Sequence, residues 1–303
     1  MAPVPTAHCG PAGWSYAHWH GVVYPGQKPR NFHALEFLAG CVDMVEVNAS
    51  FYHALRPEVT RLWVKKVAHN RAFQFTVKMH RRFTHEREWD QNAVACFKDG
   101  LWPLMRPGRL GCVLLQFPWS FRFTAENREY LIALRRAFHE FPLVAEMRHN
   151  SWMRDEALGT FIDYRVGFVN IDQPERASAM PPTAFLTSPV GYFRLHGRGG
   201  GYWMEEFGER PLQVGGNRYL YSTEELEEWR GRIERVRGCA KNVYVVTTND
   251  GGGAAVVNAL ELGTLLGRSP GEAPAELMRR YPERLAGFHC ERPVQHCLFR
   301  DVA

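Results

Sequence analysis

From residue 8 to residue 248 the chain alternates, eight times over, between a short apolar run and a longer intervening stretch, most of them with helical spacing. The runs fall near 8–14, 42–48, 73–79, 112–117, 143–148, 166–172, 191–196 and 243–248. Those around Val42-Asp43-Met44-Val45-Glu46-Val47 and Val243-Tyr244-Val245-Val246 are rich in β-branched residues and nearly unbroken. Such runs suit parallel strands buried on both faces. The gaps carry helical patterns: Val59, Leu62, Trp63 and Val67 between 57 and 68, and Tyr130, Leu131, Leu134 and Phe138 between 125 and 141. A third helix opens on Ser222-Thr223-Glu224-Glu225, where Ser222 and Glu225 have capping-box spacing, and runs to Arg237. Alternation of this kind over 303 residues predicts a single α/β domain spanning 1–303, a TIM-type (β/α)₈ barrel, with a doubly wound open sheet as its main competitor. The link 173–190 is short and proline-rich, so the barrel is expected to be irregular between strands six and seven. A long glycine-rich loop, 197–221, follows strand seven, and 269–303 is expected to pack across the outside of the barrel.

Composition narrows the function classes. A net charge of +5 is compatible with an anionic ligand and too weak alone to argue for nucleic acid. Seven cysteines without a C-x-x-C pair argue against a disulfide framework or a thiolate zinc site. The N-terminus lacks the pattern of a signal peptide, and no apolar stretch is long enough to span a bilayer. A cytoplasmic protein without membrane association is the expectation.

The polar residues near the strand ends carry the functional signal. Barrel enzymes build their sites at the C-terminal ends of the strands. Those ends hold Glu46 and Asn48, Lys78 and His80, Gln116, Glu146 and Arg148, Asn170 and Asp172, Arg194, His196 and Arg198, and Asn249. Side chains two apart on a strand share a face, so each pair points the same way. Cations outnumber carboxylates in this set, and a guanidinium fork matches phosphate or carboxylate oxygens. Gly251-Gly252-Gly253 ahead of a helix could offer backbone amides to the same anion. We therefore expect Lys78, Arg148, Arg194 and Arg198 to hold an anionic, phosphate-containing or nucleic-acid-derived ligand, with Asn48 and Asn249 orienting it. Glu46, Glu146 and His196 are the candidates for proton transfer, which makes a hydrolase of phosphate esters or nucleic acid the first reading. A metal-free carbohydrate enzyme using the two glutamates is the alternative. A non-catalytic ligand-binding barrel, its charges paired as structure, is the third. No cofactor is assigned. His and carboxylate residues would suit zinc or manganese, but no H-E-x-x-H spacing occurs, no H-x-H falls among the strand-end residues, and the surrounding cations would repel a dication.

An ordered series of motifs adds a resemblance. Gly13-Trp14-Ser15-Tyr16, Val45-Glu46-Val47-Asn48-Ala49-Ser50-Phe51-Tyr52 and Phe75-Thr76-Val77-Lys78 with Thr84-His85 come first. Leu115-Gln116-Phe117-Pro118, Glu146-Met147-Arg148-His149 with Ser151-Trp152, Arg194-Leu195-His196-Gly197-Arg198, and Asn249-Asp250 with Asn258-Ala259 follow. In this order they resemble the YecE-like family, domain of unknown function seventy-two, over about residues 8–262. The resemblance implies one TIM-type barrel and no settled activity. The chain departs from the family pattern at Cys9-Gly10-Pro11-Ala12-Gly13, at Thr247-Thr248-Asn249-Asp250, and in the glycine-rich segment after Arg198.

Overall fold

The computed structural model describes residues 5–27, 29–199 and 217–290. Eight parallel strands form one sheet: β1 (Ala7–Pro11), β2 (Met44–Val47), β3 (Gln74–Lys78), β4 (Leu110–Gln116), β5 (Leu143–Glu146), β6 (Gly167–Asp172), β7 (Val190–Leu195) and β8 (Asn242–Thr247). β1 pairs with β8, and sequential neighbours pair from β2 round to β8. The remaining seam is drawn shut at its upper end, where Ala12 bridges Glu46 and the Gly13 N–H donates to the Glu46 carbonyl at 2.8 Å. Pairing of β1 with β8 excludes the open doubly wound sheet. Gly10 allows the approach, since a Cβ there would lie 1.9 Å from the Met44 carbonyl oxygen.

The outer layer is α1 (Ala34–Cys41), α2 (Pro57–Lys66), α3 (Gln91–Met105), α4 (Ala125–Ala137), α5 (Asp155–Asp163), α6 (Thr223–Arg237) and α7 (Ala254–Leu265). Their starts follow local chemistry. Pro57 occupies the first turn of α2, the Thr124 and Asp90 side chains accept from the first turns of α4 and α3, and Ser222 with Glu225 completes the expected capping box of α6. α4 stops sooner than its apolar spacing predicts. Phe138 leaves the helix and packs edge-on against Phe83 at 5.1 Å, so the periodicity outlasts the helix by serving the core. Among the described residues no helix lies between β6 and β7. The intervening segment is tied instead by Asn170, whose side chain takes the Phe185 N–H at 2.7 Å and the Thr183 hydroxyl at 2.8 Å.

Residues 269–290 carry a short helix α8 (Ala275–Arg280), buried Leu277 and Leu285, and Arg284 paired to Glu261 of α7. The glycine-rich stretch 200–216 and residues 291–303 lie outside the described residues. The barrel interior is layered. His8 stacks on Tyr244 (5.4 Å), Tyr244 meets Tyr192 (6.3 Å), and above Tyr192 the lining turns polar.

The seam makes a direct prediction. Gly10→Ala forces β1 away from Met44 and is expected to cost about 1–3 kcal/mol, the range for overpacking a tight interior. Ser222→Ala, which removes one hydrogen bond of the α6 cap, is expected to cost about 1 kcal/mol. Urea unfolding of both variants checks the values; a neutral Gly10→Ala would contradict the closed seam.

Candidate functional site

The site is assembled from side chains two apart on their strands. On β7, Tyr192 and Arg194 face into the barrel, while Phe193 and Leu195 pack outward with Trp229. Arg194 is the hub. Its Nη2 donates to Glu46 Oε1 of β2 at 2.8 Å, and its Nη1 donates to Glu146 Oε2 of β5. Tyr192 donates its hydroxyl to Glu46 Oε2 at 2.9 Å, so Thr76 of β3, 2.8 Å from that hydroxyl, must be the donor to it. Arg148 Nε donates to Glu146 Oε1 at 2.9 Å, and His196 Nε2 lies 3.3 Å from the same oxygen. Both glutamates are fully buried and Arg194 is 4% exposed, so these charges meet with little water between them.

Two hydrogen-bond patterns would fit His196. With the proton on Nε2, the imidazole donates to Glu146 and its Nδ1 accepts from the Thr248 hydroxyl at 2.9 Å. The other tautomer would turn a lone pair towards the carboxylate, so the first is assigned on electrostatic grounds. His196 thereby steadies Glu146 instead of presenting a basic nitrogen to the mouth.

The electrostatics divide the site. Burial alone would raise the Glu146 pKa, but Arg194, His196 and Arg148 together outweigh it and hold the carboxyl well below its usual range. Burial drives His196 down to about 4, with Arg194 and Arg148 adding to the effect and Glu146 opposing it. Lys78 is displaced most usefully. Burial, then Arg194 and Arg148, lower its ammonium from 10.5 to about 7, and Glu46 and Glu146 only partly compensate. Its Nζ sits 4.1 Å from the centre of the Phe51 ring and, among the described residues, makes no ion pair. Lys66 and Lys98, by contrast, hold Glu36 at 2.8 Å and Glu140 at 2.6 Å. His85 also packs against Phe51, 4.9 Å between ring centres, itself lowered to about 4 by burial, Lys78 and Arg148.

The mouth thus brings together Glu46, Lys78, Glu146, Arg148, Arg194 and His196 from the expected set. Asn48 stands at the end of β2, its buried Oδ1 without a hydrogen-bond partner among the described residues. Other expectations are corrected. Arg198 turns towards α6, reaching Asp172 at 3.0 Å, Glu228 at 3.1 Å and Glu225 at 3.3 Å, so three carboxylates already occupy it. Asp172 and Asn170 face outward: Trp229 of α6 donates to Asp172 at 3.0 Å, and Asn170 serves the β6–β7 segment. Asn249 is fully buried and its amide nitrogen donates to the Tyr219 carbonyl (2.6 Å) and Asn258 (2.9 Å), while its Oδ1 has no hydrogen-bond partner among the described residues. The Gly251–Gly253 turn is no anion cradle either, because Gly251 N–H donates to the Asn217 carbonyl and Gly253 N–H to the Asp250 carbonyl. Positive φ angles at Gly252 and Gly253 explain the glycines instead, and Leu277 leaves no room for a Cβ at Gly253.

Sequence reasoning missed Tyr192, Thr76 and Thr248 as members of the network. Tyr192 was detectable, since it shares parity with Arg194. Among the described residues no three His, Cys, Asp or Glu side chains cluster to hold a metal. The donors that do converge stand beside Arg194, Arg148 and Lys78, a setting that opposes a dication. No described helix is long and apolar enough to cross a membrane.

Removing one partner from a buried charge cluster leaves an uncompensated charge. Arg194→Met is therefore expected to destabilise the fold by about 3–5 kcal/mol in urea, or to prevent folding. His196 gives a gentler test. Its pKa in the fold, about 4, lies below the unfolded value of 6.5, so the unfolded state binds the extra proton between them. Stability should fall as pH drops from 6.5 towards 4, and His196→Gln should make that fall shallower. An unchanged slope would contradict the buried neutral imidazole.

The geometry can be set beside known proteins. Residues 8–282 match the family model described as protein of unknown function DUF72. The UPF0759 protein YunF of Bacillus subtilis (strain 168) is 27% identical over 287 residues, covering 89% of this chain and 98% of that protein. A crystal structure of a DUF72 family protein from Thermotoga maritima superposes with a TM-score of 0.72 at 30% identity, covering 86% of this chain and 99% of that one. One from Enterococcus faecalis gives the same TM-score at 24% identity, covering 86% and 95%, and supports the fold alone. The match to the family model, extending to residue 282 and across every strand of the barrel, makes this chain a member of the DUF72 family.

Proposed function

We propose that the barrel binds an anionic, phosphate-containing small molecule at its C-terminal mouth, with Lys78 and Arg148 facing the anion. One observation carries this reading: Arg194 takes both Glu46 and Glu146, while Lys78, with its Nζ 4.1 Å from the Phe51 ring centre, makes no ion pair among the described residues. Arg194 is consumed by the two glutamates, so the unmet positive charge lies towards β3. An anion there gives Lys78 the counter-charge it lacks among the described residues. Asn48 Oδ1, a buried acceptor awaiting a donor, supports a ligand that also carries hydroxyl groups.

The same network weighs against hydrolysis by the glutamates. Glu146 is held ionised by two guanidiniums and cannot serve as the protonated acid of a glycosidase pair. His196, donating to Glu146, is not placed to activate water. Ligand binding is thus favoured over phosphate-ester hydrolysis and over the two-glutamate carbohydrate reading.

Sulfate tests this cleanly, because its charge is constant between pH 5 and 9. Binding an anion raises the Lys78 pKa from about 7, so the ammonium's contribution is full below about 7 and lost as pH rises through the higher, bound value. Titration calorimetry should show sulfate affinity falling up to about tenfold per pH unit from about 7 to the bound value and levelling off above it. Inorganic phosphate and glycerol 3-phosphate should compete with it, and Lys78→Met should remove the pH dependence. Absence of binding, or binding flat with pH in the wild type, would overturn the reading.

A further inference from the structure

We propose that Lys78 is a nucleophilic lysine that forms an imine with the carbonyl group of a phosphorylated aldehyde or ketone. The inference rests on the reading of the mouth as an anion site and names the chemical class of its ligand.

The surroundings of the amine set Lys78 apart from other lysines of the chain. Lys66 and Lys98 each sit against a carboxylate, Glu36 and Glu140. Lys78 is given the face of Phe51 instead. An aromatic ring favours the cation only modestly and tolerates the neutral amine equally well, so it holds Nζ in place without fixing its charge. Arg194 and Arg148 then oppose the ammonium, which places its pKa at about 7 and leaves a large share of free amine at neutral pH. Desolvation next to other cations is a general way of activating a lysine nucleophile. Such a lysine is more than an anion holder: for holding an anion alone, a permanently charged ammonium would serve better.

The groups nearby suit the chemistry. The free amine adds to the carbonyl carbon, and the C=O π pair becomes an alkoxide that takes the proton lost from nitrogen. The carbinolamine then gains one proton and expels water. Amine, carbonyl and one proton thus yield an iminium ion and water, with no oxidant or reductant. Lys78 is only half-buried, so solvent water can supply the proton. Arg148, 8% exposed and anchored through Nε to Glu146, faces the phosphate. The rest of the mouth is closed to this role. Arg194 cannot lose its proton, and His196 is committed to Glu146 and Thr248.

Pyridoxal 5′-phosphate, an aldehyde with a phosphate group, is the probe. The full-length protein is incubated with it at pH 7, reduced with borohydride and mapped by peptide mass spectrometry. Lys78 should carry the reduced adduct at concentrations that leave Lys65, Lys66, Lys98 and Lys241 essentially unlabelled. Sulfate should protect it, and the labelling rate should rise with pH to a half-maximum near 7. Lys78→Met should lose the adduct; because mapping is done on the wild type, the outcome does not depend on that variant folding. If sulfate binds but Lys78 is labelled no faster than the other lysines, the imine proposal is overturned and the anion site stands. If pyridoxal without phosphate labels Lys78 as well as its phosphate does, and sulfate does not protect, the nucleophilic lysine stands and the anion site falls.

Discussion

A single guanidinium, Arg194, spans the mouth of this barrel between a glutamate on β2 and another on β5. Both carboxylates and the arginine are withdrawn from water, and the cost of that desolvation is recovered only if each hydrogen bond is placed well. The surrounding residues supply that placement. Tyr192 and Thr76 orient Glu46, while Arg148 and His196 orient Glu146. Such a cluster contributes little net stability compared with an apolar core of the same volume. Its consequence is positional: it fixes two carboxylates and leaves one ammonium, Lys78, without an ion pair among the described residues.

The mouth consequently has two unlike halves. Around β6, β7 and β8 the polar groups are spent on holding the architecture together. Arg198 ties Asp172 to α6, Asn249 braces Tyr219 and Asn258, and the glycine turn after β8 hydrogen-bonds internally. Around β2, β3 and β5 they remain turned towards one another and towards the opening. Barrel folds often place a phosphate near strands seven and eight. Here the charged groups of that quarter, Arg198 and Asp172, already pair with each other, and Lys78 on the other side makes no ion pair among the described residues.

The fold was legible because its signals are local. Buried parallel strands read as apolar runs, and all eight lie where those runs are. The capping box of α6 was visible as Ser222 and Glu225, and the proline-rich link after β6 announced the missing helix. The site was only half legible. Parity groups Glu146 with Arg148 and Arg194 with Tyr192, but it does not say which face points inward. Asn170 and Asp172 have the same look in sequence as Arg194 and point the opposite way, because α6 offers Trp229 and the β6–β7 segment offers Phe185 to receive them. Arg198 was misplaced for a related reason: Glu225 and Glu228 lie about thirty residues away in sequence and become its neighbours only when α6 packs. The low basicity of Lys78 was invisible too, since it depends on Phe51, Arg148 and Arg194 converging on one nitrogen.

The account stands or falls on the charge state of that nitrogen. Isotope-edited NMR of the lysine side chains, with the Lys78 signal assigned by substitution, would follow its titration directly. The account predicts a midpoint near 7 in the free protein and an upward shift of that midpoint when sulfate is added. A midpoint near the ordinary 10.5, unmoved by sulfate, would mean that Lys78 is neither uncompensated nor activated, and would contradict the proposed site.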